Sequence, residues 1–366
     1  MIKKSYNKNL HKLNTFGMRV RANLYIEYDS VEDLTAIQWD KLPQPVLNIG
    51  EGSNLLFTKD FPGTILHSGI RGIEVLEERS CGDDLFVRAG AGVIMDDFCD
   101  WAARKEVWGP ENLSAIPGTV GAAPVQNIGA YGVEAADIID SVECFEMATG
   151  KIVTFSAAQC EFGYRDSFFK HNRGRYIVTH VTFHLYGDFR PVLEYGKLKE
   201  EVERNAEIYK ADTDPYKPIY QTRFVPPMPV SPMLVRETVK IIRENKLPSP
   251  SRKGSAGSFF KNPVVDAAVF RAVENTAAGL KGETVAVPHY DLPDGSVKIP
   301  AAWLIEFCGF KGRTCGGAAV WEKQPLVIVN DTGRATPRDI VALENTIIDK
   351  IRDTFGIELS PEVDHI

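Results

Sequence analysis

The sequence has few of the patterns that usually mark a metal site, a disulfide framework or a membrane anchor. No two of its six cysteines form a CxxC pair, which argues against both a zinc site and a set of disulfides. Residues 1–18 have no apolar core that could serve as a signal peptide, and no apolar run approaches the length of a membrane span. We therefore expect a cytoplasmic protein with reduced thiols and without a metal or a membrane anchor. The cysteines are Cys81, Cys99, Cys144, Cys160, Cys308 and Cys315.

Charge of one sign is not concentrated anywhere in the chain. The 42 Lys and Arg residues and the 49 Asp and Glu residues are interspersed, and the net charge is −7. A nucleic-acid-binding protein would carry a basic stripe, so no nucleic-acid partner is expected. The length of 366 residues indicates roughly two domains, at about 150 residues each, or three smaller ones.

Two common phosphate-binding signatures are absent as well. Gly50-Glu51-Gly52 and Gly90-Ala91-Gly92 both lack the third glycine of GxGxxG, and GxxxxGK[ST] occurs nowhere. In contrast, residues 116–132 read IPGTVGAAPVQNIGAYG, a run crowded with glycine and alanine. Such a run lets backbone N–H groups approach a large ligand, and a pyrophosphate is the ligand that most needs them. A glycine-rich structural turn is the alternative that composition leaves open.

Hydrophobic periodicity predicts an α+β chain. Apolar residues at helical spacing predict a helix over residues 94–105, and residues 197–206 are charged and helix-like. Residues 208–232 are rich in proline and tyrosine and are predicted to form an irregular insertion. Ser231-Pro232 and Thr336-Pro337 each offer an N-cap followed by a first-turn proline, which predicts a helix after each. The predicted strands cover residues 46–49, 55–57, 64–66, 85–87, 141–145 and 176–185.

Ser258 is a candidate for a residue that carries chemistry. It follows Gly257 and precedes Phe259 and Phe260, so its hydroxyl is sterically open while the two rings could exclude water. No GxSxG elbow surrounds it and no histidine lies nearby in the sequence, which argues against an acyl-transfer nucleophile. A serine in this setting can instead donate a proton or a hydrogen bond to a developing anion. An ordinary turn serine is the alternative.

A series of motifs along the chain resembles those of one enzyme family. Two of them are ENLSAIPGTVGAAPVQNIGAYGVE at residues 111–134 and AGSFFKNPVV at residues 256–265. The motifs occur in family order over nearly the whole chain and resemble the UDP-N-acetylenolpyruvoylglucosamine reductase family, in the subclass that has a substrate-capping tyrosine on a loop. The other motifs are NTFG at 14–17, GEGSNLLF at 50–57, FGYRDSFFK at 162–170, EYGKL at 194–198, DGSVKIPAAWLIE at 294–306, FKGRTCGGAAV at 310–320 and PEV at 361–363.

The resemblance implies a vanillyl-alcohol-oxidase-type FAD-binding domain of two α+β subdomains, followed by a C-terminal α+β substrate-binding domain. We expect the first domain at 1–198, with subdomains at about 1–67 and 68–198, and the second at 199–366, with a long insertion at about 199–230. Two strips rich in small residues would bind FAD non-covalently, because backbone donation to a pyrophosphate requires close approach. The implied contacts are Gly50, Glu51, Gly52, Ser53, Asn54 and Leu55 in the first strip, and Pro117, Gly118, Gly121, Ala122, Gln126, Asn127, Gly129, Ala130 and Gly132 in the second.

The implied reaction has two halves. NADPH reduces the flavin, which then passes a hydride to UDP-N-acetylglucosamine enolpyruvate and so yields UDP-N-acetylmuramate for peptidoglycan synthesis. Hydride at C3 of the enolpyruvyl group leaves an enolate-like anion, which must be stabilised and then protonated. By motif match, Ser258 is the proton donor, and Arg165 and Glu362 stabilise the intermediate. A guanidinium can hold a carboxylate in a bidentate manner, although a surface ion pair with Asp166 is the alternative for Arg165.

Substrate contacts also carry over by motif match. Tyr195 corresponds to the capping tyrosine, and lysines suit a diphosphate as point charges, although each of these side chains could equally be a solvated surface residue. The chain departs from the family pattern in the length of residues 199–230, at Phe307, where a glutamine is common, and at Asp364, where a basic residue is common. The resemblance implies no obligate protein partner. The implied contacts are Tyr131, Tyr164, Tyr195, Lys246, Asn262, Tyr290, Lys311 and Gln324.

The sequence leaves two other functions open. The first is a flavin-dependent alcohol or sugar oxidase of the same FAD-domain superfamily. Many such oxidases tether FAD through a histidine, and neither strip contains one. The second is an inactive UDP-sugar- or flavin-binding protein, against which the joint presence of Arg165, Ser258 and Glu362 argues.

Overall fold

The structure of the chain is a computed structural model that describes residues 2–212, 230–249 and 252–366. The chain forms two compact units, each assembled from three stretches of sequence. The first unit comprises Met1–Tyr6, Asn23–Glu51 and Pro62–Arg243, and the second comprises Asn7–Ala22, Gly52–Phe61 and Glu244–Ile366. The domain boundary predicted after residue 198 stays a prediction.

Helices and strands both occur throughout the described residues. The helices are α1 Val31–Thr35, α2 Met95–Arg104, α3 Ala123–Gln126, α4 Phe168–His171, α5 Leu198–Asp212, α6 Pro232–Lys246, α7 Ala267–Lys281, α8 Ala301–Phe307 and α9 Pro337–Phe355. The strands are β1 Lys3–Asn9, β2 Arg21–Tyr28, β3 Val46–Ile49, β4 Leu55–Leu56, β5 Phe61–Ser68, β6 Ile73–Val75, β7 Leu85–Gly90, β8 Gly129–Ala130, β9 Val133–Glu134, β10 Ile139–Glu146, β11 Lys151–Ser156, β12 Tyr176–Leu185, β13 Gly254–Ser255, β14 Val264–Val265, β15 Tyr290–Asp291, β16 Val297–Lys298, β17 Thr314–Cys315, β18 Ala318–Val320, β19 Ile328–Asn330 and β20 Asp364–His365.

A five-stranded antiparallel sheet in the order β11-β10-β12-β7-β6 forms the centre of the first unit. α2 packs its buried face against this sheet, and the ring centroids of Phe98 and Phe183 lie 4.4 Å apart. Fully burying side chains of this size contributes roughly 1.5–3 kcal/mol each to the hydrophobic driving force. The predicted helix and the three predicted strands of this layer are confirmed.

A second sheet in the first unit has the order β1-β2-β5-β3. Its strands β3 and β5 are parallel, and their register pairs Ile49 with His67. The first strip therefore begins at the carboxyl end of β3, because Gly50 and Glu51 directly follow Ile49. Ligands in α/β proteins commonly bind at the carboxyl ends of parallel strands, where backbone groups are no longer used by the sheet.

α5 and α6 pack against each other through buried residues that include Val202 and Val235. Arg236, only 4% exposed, anchors α6 to α2 through bonds of 2.7 and 3.2 Å to the carboxylate of Asp96. The predicted helix over 197–206 is confirmed and is longer than expected, since α5 continues to Asp212. The prediction of an irregular insertion is therefore wrong for residues 208–212. Residues 213–229 of the predicted insertion lie outside the described residues.

The second unit contains α7, α8 and α9 together with short strands. α9 begins and ends as its sequence predicts, since Thr336 forms a capping box with Asp339 and Gly356 takes the left-handed conformation after the last turn. Phe307 lies on α8, where its ring packs 5.4 Å from that of Phe355 on α9, so this departure from the family pattern fills a helix–helix contact. α7 and α8 were not predicted.

The helices of the structure also bear on whether the chain could cross a membrane. Among helices in the part of the chain that the structure describes, none combines the length and the apolar character required to cross a bilayer.

Candidate active site

The two glycine-rich strips meet at Gly50. A Cβ atom on Gly50 would lie 2.7 Å from Thr119 Oγ1 and 3.6 Å from the Cβ of Ala122, so only glycine allows the strips to approach this closely. Gly121 is equally constrained, because a Cβ there would lie 2.5 Å from that of Ala91. Gly50 and Gly121 are therefore required by close packing around the two strips.

Arg165 is attached to the second strip. Its guanidinium donates hydrogen bonds to the carbonyls of Gly129 at 2.7 Å and Asn127 at 3.4 Å, and Nη1 lies 3.6 Å from a carboxylate oxygen of Glu134. The side chain is only 17% exposed. Asp166 pairs with His171 at 2.8 Å. Arg165 is thus largely buried and hydrogen-bonded to the second strip.

Asn127 supports the second strip next to Arg165. It has a left-handed backbone (φ +44°) and is almost completely buried. Its amide nitrogen donates to Glu134 at 2.7 Å and to the carbonyl of Gly163 at 3.1 Å, while its oxygen accepts from the N–H of Ala136 at 2.9 Å. Its side chain therefore holds the turn that carries Arg165 next to the strip.

His67 indicates that the surface beside the first strip suits a ligand. Its Nδ1 atom is buried and, within the described ranges, has no hydrogen-bond partner. Burial lowers the pKa of His67, partly offset by the carboxylates of Glu51 and Glu27, so the neutral ring is favoured. Because an unpaired buried polar atom costs free energy, a ligand that satisfied it would be stabilised. This atom, together with the backbone surface of the strips, fits a large cofactor with polar groups such as FAD.

In the second unit, the C-terminal tail brings Glu362 next to Ser258. Phe260 and Pro361 form an antiparallel bridge, the N–H of Glu362 donates to the carbonyl of Phe259 at 2.8 Å, and that of Lys261 donates to Ser360 at 2.9 Å. This register places Glu362 opposite Phe259, one residue from Ser258. Two residues separated by about 100 positions in the chain are therefore close together because of strand pairing.

The tail also contacts the part of the first strip that belongs to this unit. β20 pairs in parallel with β4, and the side-chain amide of Asn54 donates to the carbonyl of Glu362 at 3.0 Å. The N–H of Asp364 donates to the carbonyl of Asn54 at 3.0 Å. Hydrogen bonds thus connect Asn54 to Glu362 and Glu362 to Phe259, the residue next to Ser258. The departure at Asp364 is accommodated by backbone bonds.

The aromatic residues that follow Ser258 are fully buried. The rings of Phe259 and Phe260 lie 5.1 Å apart, and Phe16 packs edge-on against Phe259 at 6.2 Å. Gly257 has a φ of +71°, so the chain turns sharply just before Ser258, which stays partly exposed. Ser258 consequently sits at the border between an apolar cluster and solvent.

Tyr195 and Tyr131 lie together in the first unit. Their ring centroids are 6.0 Å apart in an edge-to-face arrangement, and Tyr195 is 46% exposed. Tyr131 has a left-handed backbone (φ +50°), and burial raises the pKa of its phenol. The guanidinium of Arg165 lies 5.3 Å from the ring centroid of Tyr164. Three of the four tyrosines implied as substrate contacts, Tyr131, Tyr164 and Tyr195, therefore lie on or beside the second strip.

The remaining implied substrate contacts are in the second unit. Lys246 ends α6, and its carbonyl accepts from Trp321 Nε1 at 2.9 Å. Asn262 accepts from the N–H of Ala301 at 2.9 Å and so caps the start of α8, while Lys311 is paired with Glu306 at 2.7 Å. Tyr290 is 47% exposed and Gln324 is partly buried. Their roles in binding stay predictions.

Two residues near the strip received no role from sequence reasoning. Arg243 donates from Nε to the carbonyl of Ala115 at 3.2 Å and also bonds the phenol of Tyr131. Asn112 is completely buried and contacts the carbonyl of Tyr131. The sequence contained a signal for Arg243, because Arg243 precedes Lys246, an implied substrate contact, by three positions and so shares a helix face with it. Asn112 lies inside a recognised motif, but its buried position could not be deduced.

Glu111 makes the stability of this region depend on pH. Burial raises its pKa to about 7, although its carboxylate accepts from the N–H of Gly109 at 2.6 Å. A carboxyl whose folded-state pKa is raised contributes stability below its unfolded value, near 4.5, and that stability is lost as pH rises through 7. We expect Glu111→Gln to be more stable than wild type at pH 8, by about 2 kcal/mol, and to differ little at pH 5. Urea unfolding of the holoprotein at both pH values measures this difference.

The exposed Glu77 provides the control for this prediction. Glu77→Gln should leave the change in unfolding free energy between pH 5 and pH 8 as it is in wild type. If Glu111→Gln shows that same wild-type pH dependence, the carboxyl of Glu111 is not the group responsible.

Comparisons with known proteins agree with this geometry. A family model described as an FAD binding domain matches residues 23–156, and one described as the C-terminal domain of UDP-N-acetylenolpyruvoylglucosamine reductase matches residues 249–366. Reductases of that name from Bacteroides fragilis (strain YCH46) and Burkholderia ambifaria (strain ATCC BAA-244) are 43% and 42% identical to the chain. The matches cover 96% and 95% of the chain and 97% and 93% of the relatives.

A solved structure shares the fold. UDP-N-acetylenolpyruvylglucosamine reductase from Thermus caldophilus matches 100% of the chain and 98% of its own length, with a TM-score of 0.62 and 22% sequence identity. The predicted α+β fold, with an FAD-binding domain followed by a distinct C-terminal domain, is confirmed. Fold and site thus define a flavin-dependent oxidoreductase that uses FAD. The chain belongs to the UDP-N-acetylenolpyruvoylglucosamine reductase family.

Proposed function

We propose that the protein catalyses the NADPH-dependent reduction of UDP-N-acetylglucosamine enolpyruvate to UDP-N-acetylmuramate, as a cytoplasmic step of peptidoglycan precursor synthesis. The observation that carries the proposal is the strand register that pairs Glu362 with Phe259, the residue next to Ser258, in a chain whose relatives of the same family match it over nearly their whole length. This arrangement provides a proton donor and a carboxylate partner at the edge of a buried aromatic cluster.

The strips and Arg165 would hold FAD and order its surroundings. Gly50 and Glu51 in the first unit, and the second strip, would supply backbone N–H groups to a pyrophosphate, apart from residues such as Val120, Gly121 and Ala122, whose N–H groups already bond protein carbonyls. When bound, FAD supplies the hydride chemistry, accepting from NADPH and donating to the enolpyruvyl carbon. Arg165 keeps the second strip in place through Gly129 and carries the positive charge that an enolate-like anion needs.

Ser258 would give the proton that completes the reduction. A serine hydroxyl is a weak acid, so a partner must help match its proton affinity to that of the anion. Glu362 is the partner that the register supports, because its backbone is hydrogen-bonded to Phe259 and Asn54. These bonds fix the backbone of Glu362 at both sides, which limits the positions its carboxylate can take relative to Ser258.

The first experiment is an anaerobic titration of the purified holoprotein. A flavin spectrum that bleaches with NADPH and recovers only when UDP-N-acetylglucosamine enolpyruvate is added would support both halves of the proposal. Recovery with oxygen but not with the UDP-sugar would instead favour the oxidase. Absence of bound flavin would contradict the proposal as a whole, and flavin that stays with the chain on denaturation would indicate a covalent tether.

Tyr195→Phe tests the capping role of the tyrosine. Loss of one hydroxyl bond to the nucleotide should raise the dissociation constant of the UDP-sugar roughly tenfold while the rate constants at saturation change little. Binding is measured from the perturbation of flavin absorbance. Tyr6→Phe removes the hydroxyl of a tyrosine that is 74% exposed on β1 and serves as the control. An unaltered dissociation constant in Tyr195→Phe would remove its hydroxyl from the site.

A further inference from the structure

Asn112 joins the second strip to the segment that carries Tyr195. Its side-chain amide nitrogen donates to the carbonyl of Tyr131 and to the carbonyl of Val192, both at 2.8 Å. The two carbonyls are separated by 61 residues in the chain, and Asn112 itself is completely buried. One amide group therefore holds two distant backbone segments together, using both of its protons.

The segment that Asn112 holds has little regular structure. Residues 189–194 are neither helix nor strand, and the chain enters α5 only at Leu198. Packing brings the same segment close to the strip, since a Cβ on Gly132 would lie 3.4 Å from the Val192 side chain and 3.6 Å from Cβ of Tyr195. A backbone segment that forms no strand-to-strand hydrogen bonds depends on side-chain hydrogen bonds of this kind for its position.

The two hydrogen bonds of Asn112 support Tyr195, the capping tyrosine, from both sides. On the strip, Asn112 fixes Tyr131, whose ring meets that of Tyr195 edge-to-face at 6.0 Å. On the segment, it fixes Val192, three residues before Tyr195. Removing the amide would leave both carbonyls without this donor and would release both supports together.

We propose that Asn112 is a positioning residue that holds the Tyr195 segment against the strip, so that Tyr195 is pre-positioned over the UDP-sugar. This inference rests on the function proposed above. Pre-positioning matters because a loop that must be ordered during binding reduces affinity by the entropy of that ordering. Asn112 contacts neither substrate nor flavin in this role and acts only through Tyr195.

The test combines binding with hydrogen exchange in the holoprotein. Asn112→Ala should raise the dissociation constant of the UDP-sugar roughly tenfold and speed amide exchange in residues 189–196, while reduction by NADPH stays close to wild type. Asn112→Ser keeps one donor and should give intermediate values, and it replaces the alanine variant if that variant does not fold. Ser114→Ala is the matched control, because Ser114 is equally buried two residues away and bonds neither carbonyl.

A double-mutant cycle separates positioning from a general structural effect. In the Tyr195→Ala background, Asn112→Ala should raise the dissociation constant less than twofold, because the residue through which it acts is gone. A full additional tenfold loss, or an unchanged dissociation constant and exchange rate in Asn112→Ala alone, would overturn the positioning role while the proposed function stands. Failure of the wild-type protein to bind the UDP-sugar would overturn the proposed function, and the positioning role with it.

Discussion

Ser258→Ala should slow reoxidation of the flavin by UDP-N-acetylglucosamine enolpyruvate by about 10²–10⁴-fold, while leaving reduction by NADPH near normal. The reason is that a proton is needed only in the second half of the reaction, where the anion left by hydride addition must be quenched. Stopped-flow absorbance of the flavin measures the two halves separately. The variant should fold, because Ser258 is partly exposed and follows a glycine whose positive φ does not depend on it.

Ser255→Ala is the matched control for this prediction. Ser255 lies three residues earlier, in β13, and its side chain is buried, so this variant removes a hydroxyl of the same segment away from the turn at Gly257. It should retain both half-reactions. Equal loss of both halves in Ser258→Ala would contradict the proton-donor role and would indicate a disturbed flavin site. Glu362→Gln should reproduce the selective loss in weaker form if the carboxylate assists the serine.

Arg165→Lys should slow the same half-reaction by about 10²-fold at saturating FAD and should also weaken the retention of FAD. A lysine has a single charged head, whereas the guanidinium of Arg165 bonds two carbonyls of the strip at once. The first effect reports charge next to the developing anion, and the second reports the loosened strip. Stopped-flow reoxidation and an FAD binding isotherm measure them independently.

The two effects discriminate between roles for Arg165. If only the FAD dissociation constant rises, and the flavin-saturated variant reoxidises at the wild-type rate, Arg165 supports the strip and does not stabilise the anion. Arg175→Lys is the control, because Arg175 is an exposed arginine of the same unit that pairs with Glu146 at 3.1 Å. It should leave both measurements unchanged.

Local patterns were sufficient to predict much of the secondary structure. α2, α6 and α9 were expected from apolar spacing and from serine, threonine or proline at their starts, and Gly356 ends α9 as its conformational freedom allows. α7 was missed, although the carboxylate of Asp266 caps it by accepting from the N–H groups of Ala268 and Val269, and Gly282 ends it. The extension of α5 to Asp212 was also missed, because proline and tyrosine further along the sequence suggested an irregular loop.

The candidate site was predicted in its composition but not in its connections. Recognition of motifs supplied Ser258, Arg165 and Glu362 as residues, and family membership supports the FAD strips as a feature. The partners of these residues could not be predicted. The role of Arg165 towards a substrate carboxylate stays a prediction, and the structure adds bonds to the carbonyls of its own strip and an ion pair with Glu134.

What the sequence determined by itself is chemistry that is local to the chain: small residues where backbone must come close, helix ends, and motifs that identify the family. What only the tertiary structure decided is which distant groups share a hydrogen bond. Glu362 reaches Ser258 through strand pairing across some hundred residues, and Asn112 bridges Tyr131 and Val192 from inside the core. Such contacts depend on register and burial, which arise from the packing of the whole unit and leave no periodic signal in any one segment.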